Sequence, residues 1–278
     1  MTLNPDAIGK TIGPFTRHYD YKDVILYALG VGAGFSELEY CYEKNLKIIP
    51  TFCMAMVFDF FFEAAAAANV NLDGILHGEQ EMIFHDPVPA KGSLTTRGEI
   101  TRFYDKGKDK GALVIAESET IHTNGSKIFN GVTTIFARYD GGFGGDKAPK
   151  NEVTFPDRNP DFVSEAFPSP DQPLLYRLSG DFFELHADPE FARNSGFEKP
   201  IMHGICTQGF ACRALIQHLV PKEPERVRRI SCRFSKFLYP GTPIMTLIWK
   251  TEPDRAVWKI VNQESGDVVI DRGIFEYA

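Results

Sequence analysis

Apolar and polar positions alternate with a period of two over several stretches in each half of the chain, and a long apolar stretch precedes them. In the second half Ile230, Cys232 and Phe234 alternate with Arg229, Ser231, Arg233 and Ser235, the pattern of a strand with one covered face. Residues 244–250, 256–262 and 268–275 read as three more strands. Ahead of them, 201–220 is mostly apolar with few breakers and predicts a long buried helix, which Pro221 and Pro224 stop. Asp188-Pro189-Glu190 marks another helix start, with Asp as N-cap, Pro at the first position and Glu in the first turn. The first half follows the same plan: a helix over 50–68, then strands over 80–84, 94–104, 112–123 and 127–139.

The halves also agree in detail. Asn124-Gly125 and Ser265-Gly266 both sit between strands as hairpin dipeptides. Val88-Pro89-Ala90-Lys91-Gly92 resembles Leu238-Tyr239-Pro240-Gly241, and Pro50 lies 150 residues before Pro200. Two copies of one α+β unit fit this best, each a helix wrapped by an antiparallel sheet; the other reading is coincidence between two generic α+β segments. The boundary falls near residue 150, after Gly141-Gly142-Phe143-Gly144-Gly145 and among Pro149, Pro156, Pro160, Pro168, Pro170 and Pro173. The Gly-rich run reads as a turn or linker rather than a phosphate cradle, because no helix pattern follows it.

Composition narrows the class. At 278 residues, 43% hydrophobic and 24% charged, the chain has globular usage, which excludes disorder, collagen and coiled coil. A net charge of −7 argues against a general binder of nucleic acid or anionic membrane. Five cysteines with no CxxC pair, and no basic-then-apolar leader, lead us to expect an intracellular, reducing compartment. The most apolar stretch, 51–70, is interrupted by Asp59 and Glu63, so no membrane span is expected. The last residues, Glu276-Tyr277-Ala278, are not an SKL-type peroxisomal address.

The densest candidate chemistry lies between Tyr176 and Gly204. Asp181 and His186, five residues apart and near a helix start, can converge on one water, one group taking a proton and the other giving one. Gly204 opens the long helix, where a free N–H suits a developing oxyanion. The residues alone leave a second reading open, with Asp181 as an N-cap and His186 as a satisfied core histidine. Arg226, Arg228, Arg229, Arg233 and Lys236 form the most basic run, read either as a solvated strand face or as a site for the phosphates of coenzyme A. Cys206 reads as a buried structural thiol, and no cluster has metal-ligand spacing, so no metal is expected.

The runs Tyr176-Arg177-Leu178-Ser179-Gly180-Asp181, Leu185-His186-Ala187-Asp188-Pro189 and Lys199-Pro200-Ile201-Met202-His203-Gly204 closely resemble the hydratase 2 family, the MaoC-like (R)-specific 2-enoyl-CoA hydratases. Tyr27-Ala28-Leu29-Gly30-Val31-Gly32-Ala33, Leu76-His77-Gly78-Glu79-Gln80 and the Gly-rich loop extend the resemblance over nearly the whole chain. It implies a double hot dog fold. Residues 1–150 would be the repeat that accommodates the acyl chain, and 151–278 the repeat with the active site. It implies reversible hydration of a trans-2-enoyl-CoA to an (R)-3-hydroxyacyl-CoA, with Asp181 and His186 acting on water and proton and the Gly204 N–H polarising the thioester carbonyl. Phe183, His203, Arg233 and Lys236 are then expected to contact substrate. No cofactor is implied beyond the thioester itself, carried by coenzyme A or an acyl carrier; a homodimer and a peroxisomal setting follow by the same resemblance. Cys53 and Met54 stand where the second repeat has His203 and Gly204, which implies an inactive first repeat, and Glu43 is expected to support the active-site loop.

One departure bears on the chemistry. After Asp181 the family pattern has Asn and then Pro, where this chain has Phe183 and Glu184. A phenyl ring cannot supply the amide hydrogen bond. Its apolar bulk is expected to raise the Asp181 pKa and lower that of His186, with Glu184 solvated. The departure opens two alternatives: a specialised dehydratase or isomerase of an unusual or polyketide-like thioester, and a non-catalytic acyl-CoA-binding protein.

Overall fold

The computed structural model describes residues 3–150 and 152–278. Ten strands form one antiparallel sheet. They are β1 (Thr11–Tyr19), β2 (Ile75–Phe84), β3 (Gly92–Asp105), β4 (Ala112–His122), β5 (Lys127–Ala137), β6 (Phe162–Ala166), β7 (Val227–Phe234), β8 (Ile244–Glu252), β9 (Arg255–Asn262) and β10 (Val268–Tyr277). Between β1 and β2 run α1 (Tyr21–Gly30), α2 (Leu38–Cys41), α3 (Phe52–Ala55) and α4 (Phe58–Ala67). Between β6 and β7 run α5 (Gln172–Tyr176), α6 (Pro189–Asn194) and α7 (Gly204–Leu219).

The strand order is β1-β3-β4-β5-β2-β7-β10-β9-β8-β6. Read inward from each outer edge, the two halves have the same order, with β1 matching β6 and β2 matching β7. This is the double hot dog, two helix-wrapped sheets joined where β2 pairs with β7. The period-two alternation is visible in β4, where alternate residues face the core. Gly125 and Gly266 take φ of +91° and +74° in the hairpin turns where the dipeptides lie.

Helix α7 is buried on nearly every side, which explains its lack of a polar face. Its core cluster joins Phe52, Tyr176, Phe210, Leu215, Trp258 and Phe275, residues from both halves. The first-half helix differs from the single helix expected over 50–68: it breaks between α3 and α4. Arg17 accounts for the break, since its guanidinium holds the Ala55 carbonyl at 3.5 Å and the Asp59 carboxylate at 2.8 and 3.0 Å. The Pro-rich segment read as linker holds strand β6 on the edge of β8. The Gly-rich run wraps Asp105, whose carboxylate accepts the N–H groups of Gly107, Gly142 and Gly144 at 2.7–2.8 Å. An internal carboxylate fills the place a phosphate would take, so the run is a turn.

Candidate active site

Asp181 reaches its position because Gly180 turns the chain sharply. Gly180 has φ of +135°, and a Cβ there would meet Arg17 Nη1 at 2.6 Å and the Ala55 carbonyl at 2.8 Å, so only glycine fits. Asp181 then lies inside the protein, 6% exposed, with Oδ1 accepting the Phe183 N–H at 3.2 Å. Burial raises its pKa to about 7, against the lowering effects of that N–H and of Arg177.

His186 ends a short 3-10 turn, Glu184–His186. Its Nδ1–H donates to the Ile201 carbonyl at 2.9 Å, which leaves Nε2 as the open base atom. Burial pushes its pKa down to about 4, so the ring is neutral at pH 7. Both shifts have the directions expected from an apolar neighbourhood around Phe183.

Gly204 is the first residue of α7, and no side chain caps that helix. The Phe234 ring lies so close to Gly204 that a Cβ there would meet its Cδ1 at 2.9 Å. Asp181, His186 and Gly204 all line one cavity of about 1180 Å³. Its walls come from both halves, with Phe61, Phe62, Ile115 and Phe136 from the first.

Phe183 lines this cavity, half-buried, with Phe62, Phe191 and the edge of His186 around its ring. Arg233 and Lys236 line it too, Lys236 paired with Asp267 at 2.5 Å. The rest of the basic run is occupied elsewhere: Arg226 with Glu223, Arg228 with the Glu225 carbonyl, Arg229 with Glu81 and Glu276. His203 departs from the expectation that it touches substrate. It is fully buried outside the cavity lining, stacked on His186 at 3.8 Å, and its Nε2–H donates to the Asp181 carbonyl at 3.3 Å. Its place as last residue before α7 turns the ring inward, behind the dyad. Glu43 and Glu184 are both exposed and neither lines the cavity. Cys206 is buried, its pKa raised by burial, and its thiol meets the Gly30 carbonyl at 3.3 Å.

Sequence spacing did not reveal that Asp181, His186 and His203 bring one ligand atom each within 4.8 Å of one another. A carboxylate and two imidazoles are metal donors by type. Here the two rings are stacked at 26°, so their in-plane lone pairs run side by side instead of converging on a point. That arrangement favours proton handling over chelation. Sequence reasoning also missed His77, Phe61, Phe62 and Phe234 as parts of the site. The Leu76–Gln80 motif was the one available signal, and a β-bulge between His77 and Glu79 sets His77 on the cavity wall.

Fold and site together describe two repeats that share one cavity, with a buried carboxyl and a buried imidazole on its wall. Residues 17–139 match the MFE-2 hydratase 2 N-terminal domain, and 151–272 match the MaoC like domain. The chain is 37% identical to 3-hydroxyacyl-thioester dehydratase Y of Mycobacterium tuberculosis, over 100% of this chain and 99% of that one. It is likewise 37% identical to a probable enoyl-CoA hydratase 2 of Dictyostelium discoideum, over 96% and 94% of the two chains. The crystal structure of a MaoC-like dehydratase from Phytophthora capsici superposes with a TM-score of 0.88 at 32% identity, covering 99% of both chains. The chain belongs to the MaoC-like hydratase 2 family, and it is a hydro-lyase. Among the described residues no helix is long and apolar enough to cross a membrane.

Proposed function

We propose that the protein adds water reversibly across the double bond of a trans-2-enoyl thioester of coenzyme A or an acyl carrier, giving the (R)-3-hydroxyacyl thioester. The observation that carries this is a carboxyl raised to about 7 and an imidazole lowered to about 4, within 4.8 Å of each other in one cavity. At pH 6 that pair is a protonated acid beside a neutral base, the state that adding water requires. His186 Nε2 takes a proton from water as the oxygen attacks C3. The π electrons move toward the thioester oxygen, where the Gly204 N–H at the uncapped start of α7 stabilises the enolate. Asp181 then delivers its proton to C2. The site ends as carboxylate and imidazolium, and moving one proton from His186 to Asp181 resets it. Removal of water from the hydroxyacyl thioester is the same path reversed.

His203 acts through its neighbours: its stacked ring fixes the plane of His186, and its N–H holds the Asp181 backbone. Residues 1–150 supply the acyl-chain wall, residues 151–278 the reacting groups, and Arg233 and Lys236 the positive charge for the carrier's phosphates. Hydration of trans-2-hexenoyl-CoA, followed by loss of enoyl absorbance, tests the assignment. Asp181→Asn and His186→Gln should each lower kcat by about 10²- to 10⁴-fold. Undiminished rates in both variants, with the fold intact by circular dichroism, would falsify these roles.

A further inference from the structure

Five aromatic rings form a continuous arc along the cavity. It begins at Phe183, whose ring meets that of His186 edge-on at 6.3 Å. It passes to Phe62 at 5.8 Å, Phe61 at 5.4 Å, His77 at 5.1 Å and Phe234 at 5.0 Å. Phe234 lies over Gly204. The rings therefore make a contact chain from His186 to Gly204, and an acyl group held between the base and oxyanion donor assigned above would lie against it. All five residues line the cavity and are half-buried, so each keeps surface toward the substrate space.

His77 behaves as a member of this apolar set. Burial lowers its pKa to about 4, so it is neutral, and Nε2 lies 3.0 Å from Gln80 Oε1. That oxygen also accepts the Thr133 hydroxyl at 2.8 Å, so the polar edge of His77 is satisfied within the sheet. A saturated chain gains only buried area against such a wall, and it gives up rotamer freedom to do so. A flat conjugated group loses less freedom and adds offset-stacked or edge-to-face contacts, each about two- to tenfold in affinity.

We propose that Phe183 is a specificity-determining residue, and that the arc it closes selects thioesters with a flat, conjugated β-substituent, aryl or polyenoyl, over those with a saturated chain. The proposal rests on the hydro-lyase reading above and names its substrate class. The test compares kcat/KM of the full chain for 3-hydroxy-3-phenylpropanoyl-CoA and 3-hydroxyhexanoyl-CoA. In both, the C3 hydroxyl leaves with a C2 proton as water, and the conjugated product is read by absorbance. The expected wild-type ratio favours the aryl substrate by about tenfold or more, the sum of two or more ring contacts. Phe183→Asn and the bulk-conserving Phe183→Leu should each bring that ratio down by about two- to tenfold. A wild-type preference for the hexanoyl substrate, or an unchanged ratio in both variants, overturns the proposal. Asp181→Asn separates the two levels. Loss of both activities keeps the hydro-lyase reading whatever the ratio shows, and a wild type no more active than Asp181→Asn on either substrate sinks that reading itself.

Discussion

One cause, burial, shifts Asp181 and His186 in opposite directions, because it penalises the charged form of each. The sign for stability differs between them. From about pH 4 to about 7 folded Asp181 keeps a proton that the unfolded chain has lost, so its burial costs more stability as pH rises. His186, neutral when folded down to about pH 4, costs stability below the ordinary imidazole value of 6.5, and this cost shrinks as pH rises. For hydration the two limits define one window. We expect kcat/KM to be level between about pH 4 and about 7, falling tenfold per unit above as Asp181 loses its proton. A pH–rate profile checks this, and an activity still rising from pH 7 to 9 would refute the acid role of Asp181. At this scale the sequence was informative where chemistry is local. Asp181, His186 and Gly204 lie within 24 consecutive residues, and all three line one cavity. His203 was misjudged because the direction of its ring depends on the chain's entry into α7, and residue order does not encode that direction.

Elements were legible to the extent that their causes are local. Strands β3–β5 and β7–β10 and helices α6 and α7 follow from period, caps and turn dipeptides, and Asp188 does cap α6. The uniform apolar stretch over 50–68 concealed the break between α3 and α4, because its cause is Arg17, some 40 residues earlier. Strands β1 and β6 gave no clear alternation: one contains Gly13-Pro14, and the other is five residues long among prolines. The loop around Asp105 makes a prediction at this scale. Its three N–H donors hold the carboxyl below its ordinary range, so the carboxylate contributes to loop order above the unfolded value of 3.8 and that contribution is lost as pH falls below it. Asp105→Ala should therefore speed proteolysis and amide exchange across residues 141–146, with the remaining strands unaffected. Unchanged exchange there would show that the turn holds itself.

At the scale of the molecule the two halves repeat one strand order, yet neither encloses the site alone. The cavity takes apolar lining from both halves, with Asp181, His186 and Gly204 from the second, and one core cluster crosses between them. Residues 1–150 and 151–278 expressed separately should each give inactive, poorly soluble protein, and co-expression should restore thioester turnover. A soluble second half that is active alone would contradict this. The seam itself is asymmetric in charge. Glu79 and Glu81 on β2 face a strand bearing Arg229 and Arg233, with Arg229 bound to Glu81 and Arg272 of the adjoining strand reaching Glu79. During synthesis β2 leaves the ribosome long before β7: Ile83 precedes its partner Arg229 by 146 residues, roughly 7–30 s of translation. Once β5 has emerged it covers one edge of β2, and the other waits open for β7. Two glutamates along the waiting edge repel a second nascent copy of the same strand, and they accept the arginines when these finally emerge.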